Sequence, residues 1–407
     1  MAGPLTHLRV LDLSRVLAGP WAGQTLADLG AEVVKVERPG EGDDTRKWGP
    51  PHLKDAEGNS TGEAAYYLAA NRGKRAITID LAHPEGQALV RDLAARSDVL
   101  IENYKVGGLA KYGLAYDDLK AVNPGLVYCS ITGFGQTGPY AARPGYDFVI
   151  QAMGGLMSIT GEKDGQAGAG PQKVGLAIAD LFTGMYATIA IQAALAHRDR
   201  TGEGQHIDMA LLDSQVAMLS MQAMNYLTSG KAPQRMGNAH PNVVPYGVFE
   251  AQDGPMVLAV GNDGQFRRYC EVIDRADLPT DDRFATNSAR VANRVALHGE
   301  IEPVMKTRRG ADWFEALQRV GVPCGPVNGI DQVFEDPQVR HRGMRIDLPH
   351  AMGGEAPQVA SPMRFSATPL DYRWAAPPLG HHTDGVLGEL LGMTEEEIAR
   401  LRAAGVV

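Results

Sequence analysis

LRVLDLSRVLAGPWAGQTLADLGAEVVKVE, residues 8–37, decides the fold. Its two ends, LRVLDL (8–13) and AEVVKVE (31–37), are short, aliphatic and β-branched, and the stretch between them has helical composition. Strand, helix and strand in that span make one parallel crossover. The pattern repeats outward in RAITIDL (75–81), DVLIEN (98–103) and LVYCSIT (126–132), spaced by helical stretches such as EGQALVRDLAARS (85–97). Alternation of this kind predicts an open, mostly parallel, Rossmann-like α/β sheet. Glu37 closes the second strand, where a dinucleotide site would place an acid, but the glycines of the first turn stand at 19, 23 and 30. That spacing does not match G-x-G-x-x-G, so no nicotinamide or flavin cofactor is expected.

Beyond the sheet pattern the chain carries an apolar run from Val174 to Ala196, which Asp180 and Gln192 interrupt, and we read it as a buried core helix rather than a membrane span. The polar break HRDRTGEGQ follows, then strand-like HIDMALLD and the Met-rich helical stretch QVAMLSMQAMNYL. From about Arg235 the loops and antiparallel strands of GNAHPNVVPYGVFEAQDGPMVLAVGND mark a smaller α+β domain. The expected division is 1–200 for the first part of a large domain, 201–230 for a linker, 231–326 for the small domain and 327–407 for a return to the large one.

With 407 residues, 44% of them hydrophobic, the chain is long enough for two folded domains. Its 48 acidic against 39 basic residues, with no Lys/Arg tract, argue against nucleic acid as a partner. Cys129, Cys270 and Cys324 are too few and too scattered for a disulfide framework or a metal site. Neither a leader nor a lipidation tail is seen, so a cytoplasmic protein without a membrane partner is expected.

Asp180 is the only charge between Lys173 and His197. A carboxylate in so apolar a run is costly unless it is hydrogen-bonded or functional. It can serve as a helix N-cap, and a carboxylate fixed at a helix start can also act as a nucleophile.

Several separated segments, taken together, resemble the class III CoA-transferases. They are the opening 8–46 through VERPG, then NRGKRAITIDL (71–81), ENY (102–104), GFGQTGPY (133–140), KVGLAIADLFTGMYA (173–187), TGEGQHIDMALLD (201–213) and GVPCGPVN (321–328). Within that family the succinyl-CoA:glutarate branch is most similar, sharing GDDTR-x-WGPP, ITG-x-GQTGP and a turn like RMGNAH followed by VPY. The resemblance implies transfer of CoA from an acyl-CoA, succinyl-CoA first, to a free dicarboxylate such as glutarate. It also implies an interlocked homodimer, and coenzyme A thioester as a substrate with no metal or organic cofactor.

By the same resemblance Asp180 takes the place of the catalytic aspartate, and Gln136 lies in a loop that reaches toward the reacting acyl group. The CoA site would draw on Leu17, Ala18, Arg38, Asn71, Arg72, Lys74, Asn103, Tyr104, Lys105 and Lys111, because phosphates pair best with Arg and Lys. The acceptor's second carboxylate would go to Arg15, Arg46 or Arg235, with His240 in a neighbouring substrate loop. There are departures from the family pattern. Leu17 and His240-Pro241-Asn242 differ from the oxalate-specific branch, and Pro144-Gly145-Tyr146-Asp147 lacks the His of the racemase branch. A phenol with an ordinary pKa near 10 is a poor base at neutral pH, which weakens a racemase reading. Leu379-Gly380-His381-His382-Thr383 has His where the family carries Glu. The other readings are a non-catalytic acyl-CoA-binding relative, which has no need of an acid at position 180, and a hydrolase, which would use water as acceptor.

Overall fold

The computed structural model describes residues 3–352, 354–370 and 372–407. The chain divides into two compact units. The larger takes in the chain up to Leu156, Val174–Lys231 and Arg340–Val407, and the smaller takes in Met157–Lys173 and Ala232–Val339.

In the larger unit the parallel sheet is formed by β1 (Arg9–Asp12), β2 (Glu32–Glu37), β3 (Arg75–Thr78), β4 (Val99–Glu102), β5 (Val127–Thr132) and β6 (His206–Ala210), in the order β3-β2-β1-β4-β5-β6. Every pairing is parallel, with Val10 opposite Val33 on one side and Val99 on the other. Each anticipated strand of the first third is present. Side chains alternate across the sheet with a period of two. Val10, Val33, Val99, Ile101 and Val127 enter one core, and Leu11, Val34, Leu100 and Tyr128 enter the other. The unit therefore has helices on both faces. Its helices include α1 (Ala18–Asp28), α2 (Pro84–Ala94), α3 (Asp147–Met153), α4 (Ile178–Thr201), α5 (Leu211–Met218) and α6 (Ser220–Ser229). Leu26 and Ile191 join the first core, while Leu89, Val90 and Leu93 join the second. Burying each of these aliphatic side chains stabilises the unit by roughly 1.5–3 kcal/mol.

Two expectations are corrected here. Residues 201–230 are not a linker, because β6 pairs with β5 from Tyr128↔His206 to Thr132↔Ala210 and α5 and α6 belong to the same unit. The smaller unit runs on to Val339, past the expected boundary at 326, and also takes in 157–173. The apolar run after Val174 becomes α4, but only one side of it is buried. Ala179, Thr183, Gly184, Ala187 and Ile191 pack inward, whereas Phe182, Met185, Tyr186 and Ile189 are exposed. By length and hydropathy alone this helix could span a membrane; its small-residue side instead covers the parallel sheet. It ends where Gly202 takes φ +78°, in the polar break that the sequence marks.

In the smaller unit β7 (Tyr246–Ala251) and β8 (Gly254–Ala259) form an antiparallel hairpin extended by β9 (Cys324–Pro326). The helices α7 (Asp263–Val272), α8 (Arg294–Met305) and α9 (Gly310–Arg319) close a core around Trp313, Phe266, Tyr269 and Phe284, the α+β arrangement expected.

Candidate active site

A parallel sheet of this order binds ligands at the carboxyl end of its strands, where the strand order reverses. That point lies between β1 and β4. The loop after β1 and the loop after β4 are joined there: the Arg15 N–H donates to Asn103 Oδ1 at 2.9 Å, and Asn103 Nδ2 donates to the Arg15 carbonyl at 2.7 Å. Tyr104 lies beneath the Arg15 guanidinium, 5.8 Å from it. Lys105 and Lys111 follow on the exposed side, and Arg38 stands exposed at the end of β2, paired among the described residues with Glu41 at 3.0 Å. Arg15, Arg38, Asn103, Tyr104, Lys105 and Lys111 thus stand at or just beyond the same edge of the sheet, several of them with cationic groups open to solvent.

Asp180 reaches the start of α1 from the first turn of α4. The backbone N–H of Ala18, the first residue of α1, favours the ionised form of Asp180. Gly184, one turn further along α4, makes the approach possible, since a Cβ there would lie 2.6 Å from the Ala18 carbonyl oxygen. Asp180 does not cap its helix. That role is filled from α3 by Asp147, whose Oδ1 accepts the Ala179 N–H at 2.8 Å while its Oδ2 accepts Gln151 Nε2 at 2.7 Å. Fully buried Gln151 also accepts the Val174 N–H at 2.9 Å, so the entry into α4 is fastened on both sides.

Among the described residues no Lys, Arg or His forms an ion pair with Asp180. Burial and then the charge of Asp147 raise its carboxyl to about 7, against the pull of the Ala18 N–H. Burial, followed by the charges of Asp180, Asp147 and Asp43, raises the Tyr66 phenol, so Tyr66 is coupled to this carboxylate. Trp48 meets Tyr66 edge to face at 5.0 Å. Sequence reasoning missed Tyr66. The nearby signal was Trp48, an aromatic residue inside the GDDTRKWGPP segment itself.

Four expected ligand residues are turned inward. Lys74 is fully buried and its ammonium donates to Asp12 Oδ2 at 2.9 Å, the Pro20 carbonyl at 2.9 Å and Asn71 Oδ1 at 2.8 Å. All three of its protons are used, and Asn71 is fully buried with it. Burial pulls the Lys74 ammonium down to about 8, with Asp12 opposing. Arg72 grips both oxygens of Asp28 at 2.8 and 2.7 Å and reaches the Val359 carbonyl at 2.6 Å. Arg46 holds Glu37 with two bonds of 2.8 Å, Glu63 with one of 3.0 Å, and stacks 3.7 Å from the Tyr67 ring. These groups do not offer the open cationic face that a phosphate or a second carboxylate requires. Glu37 is occupied in turn by Arg46, Tyr67 and the Asp43 N–H. Of the other arginines considered for the acceptor, Arg15 pairs with Asp44 at 3.1 Å and Arg235 pairs with Asp164.

Gln136 sits on the loop after β5, its N–H donating to both oxygens of Asp208 at 3.1 and 3.0 Å while its side-chain Nε2 is buried without a partner. No hydrogen bond joins it to Asp180. Leu17 and Ala18 are buried at the start of α1. His240 belongs to the smaller unit, where its Nδ1 accepts the Asn242 N–H at 3.1 Å and its ring lies 5.1 Å from Tyr246. His206 shares a hydrogen bond of 2.9 Å with Ser130 Oγ and stacks on Tyr116.

The family model of CoA-transferase family III matches residues 5–383. A succinate–glutarate CoA-transferase of Agrobacterium fabrum is 56% identical over 387 residues, covering 95% of this chain and 96% of the relative. The human succinyl-CoA:glutarate CoA-transferase is 42% identical over 404 residues, 99% of this chain and 90% of the relative. The crystal structure of a CAIB/BAIF family protein from Brucella suis superposes with a TM-score of 0.83 at 55% identity, covering 96% of this chain and all of that one.

Proposed function

The chain belongs to CoA-transferase family III and is a CoA-transferase, and from that premise we propose that it moves CoA from succinyl-CoA to a free dicarboxylate such as glutarate, with Asp180 as the nucleophile. The observation that carries the mechanism is the carboxylate of Asp180: among the described residues no cation pairs with it, and the Ala18 N–H at the positive end of α1 favours its ionised form. An Asp oxygen attacks the thioester carbonyl carbon; the C–S bond breaks and CoA leaves as thiolate, giving a mixed anhydride. The thiolate then attacks the aspartyl carbonyl of that anhydride and succinate departs, leaving an aspartyl-CoA thioester. The acceptor carboxylate repeats both steps in reverse order, so the new acyl-CoA leaves and Asp180 returns to its carboxylate. The acyl activation is never lost to water, so the scheme needs no metal or organic cofactor.

In this reading Arg38, Lys105 and Lys111 hold phosphate oxygens, Asn103 and Tyr104 contact the carrier, and Leu17 and Ala18 line the thioester. Gln136, with an unfilled donor, is assigned to the acyl carbonyl. His240 remains a substrate-loop candidate. We also propose a cytoplasmic homodimer. Its support is the exposed apolar side of the larger unit, where Phe148, Met185, Tyr186, Ile189, Met224 and Leu227 are all at least 40% accessible. Sedimentation would read the dimer directly.

The test of the chemistry is to mix enzyme with succinyl-CoA, quench with hydroxylamine or borohydride, and map the modified peptide. Modification of Asp180, together with CoA release that requires an acceptor acid, supports transfer. A label on another carboxylate removes Asp180 from the role, and release without an acceptor makes the protein a hydrolase.

A further inference from the structure

Val16 stands immediately before the two residues that line the thioester, and its φ is +70°. A β-branched side chain rarely adopts the left-handed region, so something around it must hold the backbone there. The holding group is the carboxylate of Asp43, which is fully buried. Both of its oxygens accept the Val16 N–H, each at 3.2 Å. Oδ2 also accepts Lys35 Nζ at 2.9 Å, and Oδ1 accepts the Thr45 N–H at 3.0 Å and the Thr45 hydroxyl at 2.8 Å. Lys35, equally buried on β2, passes a second bond of 2.8 Å to the Ser14 carbonyl. From the other end the Asp43 N–H is tied to Glu37 Oε2 at 2.9 Å. The Lys35–Asp43 pair therefore clips the loop after β1 on both sides of Arg15, one residue ahead of Leu17 and two ahead of Ala18, whose carbonyl oxygen lies 2.6 Å from where a Cβ on Gly184 of α4 would be.

We propose that Asp43 is a positioning residue for the transfer reaction: it holds Val16 in the left-handed conformation and so aims the Ala18 N–H at the Asp180 carboxylate. The proposal rests on the reading of Asp180 as nucleophile. Asp43 touches no substrate in this scheme. It acts through Val16 on the Ala18 N–H, which favours the ionised Asp180. Asp147 and Tyr66 are the other titratable groups coupled to Asp180, and of these Tyr66 also feels the Asp43 charge.

Asp43→Asn tests this with little change of volume. Whichever way the amide turns, its NH2 meets donors, either Lys35 and Val16 or Thr45 and Val16, so one of the two bonds to the Val16 N–H is lost and the grip on Val16 is weakened. The expected result is a kcat lower by about ten- to a hundredfold with an acyl-CoA KM changed by less than about threefold. Loss of the Ala18 donor also moves the acid limb of the pH–rate profile upward, because that N–H favours the ionised carboxyl. Glycine adopts the left-handed region without strain, so adding Val16→Gly to Asp43→Asn should recover at least about threefold of the lost kcat. Thr45→Val removes one donor to the same carboxylate and carries the same signature at smaller amplitude, which keeps the test available if Asp43→Asn does not fold. An unmoved acid limb in either variant, or no recovery on adding Val16→Gly to a folded Asp43→Asn protein, overturns the proposal. Hydroxylamine trapping separates the two readings: a slower label still on Asp180 keeps the nucleophile, whereas a wild-type label elsewhere removes it.

Discussion

The larger unit holds two kinds of acid near the same end of its sheet, and they are treated in opposite ways. Asp12, Asp43 and Glu37 are buried and each is matched by a cation: Lys74 at 2.9 Å, Lys35 at 2.9 Å and Arg46 at 2.8 Å. Asp180 is less buried, yet it faces another carboxylate and has one backbone N–H. The first group fixes the loops after β1 and β2. The second keeps an oxygen free for a carbonyl carbon. Compensation holds carboxylates below their ordinary range in the scaffold, as at Asp12 and Asp43, and its absence raises Asp180 to about 7. A nucleophile must keep lone pairs that a structural acid has already given to its partners.

The sharpest break of that contrast is Asp180→Asn. We expect transfer to fall by roughly a thousandfold or more, since an amide oxygen forms no anhydride, while CoA binding persists. Stability should not fall. A carboxyl raised in the folded state binds its proton where the unfolded chain has released it, so its contribution declines as pH rises from about 4 to about 7. The Asn variant should therefore melt no lower than wild type, with its advantage greatest above pH 7 and absent near pH 4. A cooperative loss of melting temperature at pH 8 would show instead that Asp180 is structural. The same raised carboxyl predicts that wild-type kcat/KM falls on the acid side of about pH 7, where the nucleophile protonates.

Lys74→Met should do the reverse. It leaves Asp12 buried and unpaired, which costs about 3–5 kcal/mol when one partner of a buried pair is removed. Urea unfolding would read this as a lower midpoint with an unchanged slope. The acyl-CoA KM of the protein that remains folded should change by less than about threefold. Arg46→Met should likewise lower the midpoint, and it should not discriminate a diacid from a monoacid acceptor, because its guanidinium is spent on Glu37 and Glu63. A selective rise in the diacid KM would return Arg46 to the acceptor site.

The two groups were not equally legible. The strands could be read because a period of two over four to six residues is a local signal. Arg38, Arg72 and Lys74 looked alike in the sequence. What separates them is where their acids lie: Lys74 and Arg72 find Asp12 and Asp28 at separations of 62 and 44 residues, while Arg38 finds only Glu41 on its own turn. The cap of α4 was hidden for the same reason, since Asp147 stands 32 residues ahead of Ala179. The stretch 201–230 read as a linker because β6 gains its meaning only by pairing with β5.

Arg38→Ala carries the smallest expected effect and tests the open side of the comparison. The Arg38 guanidinium lies at the carboxyl end of β2, two-thirds exposed, and its ion pair with Glu41 is a surface contact between neighbours on one turn. Such pairs contribute little to stability, so melting should be unchanged within error. If the side chain instead holds a phosphate oxygen of CoA, its removal takes away one charge-assisted bond, and the acyl-CoA KM should rise by about five- to tenfold with kcat nearly constant. The rise should shrink in high salt, because an exposed cation is screened by mobile ions while Lys74 and Lys35 are not. Arg38→Lys should recover part of the loss through charge alone. An unchanged KM at low salt would place the phosphates elsewhere, and the contrast would then stand on Asp180 alone.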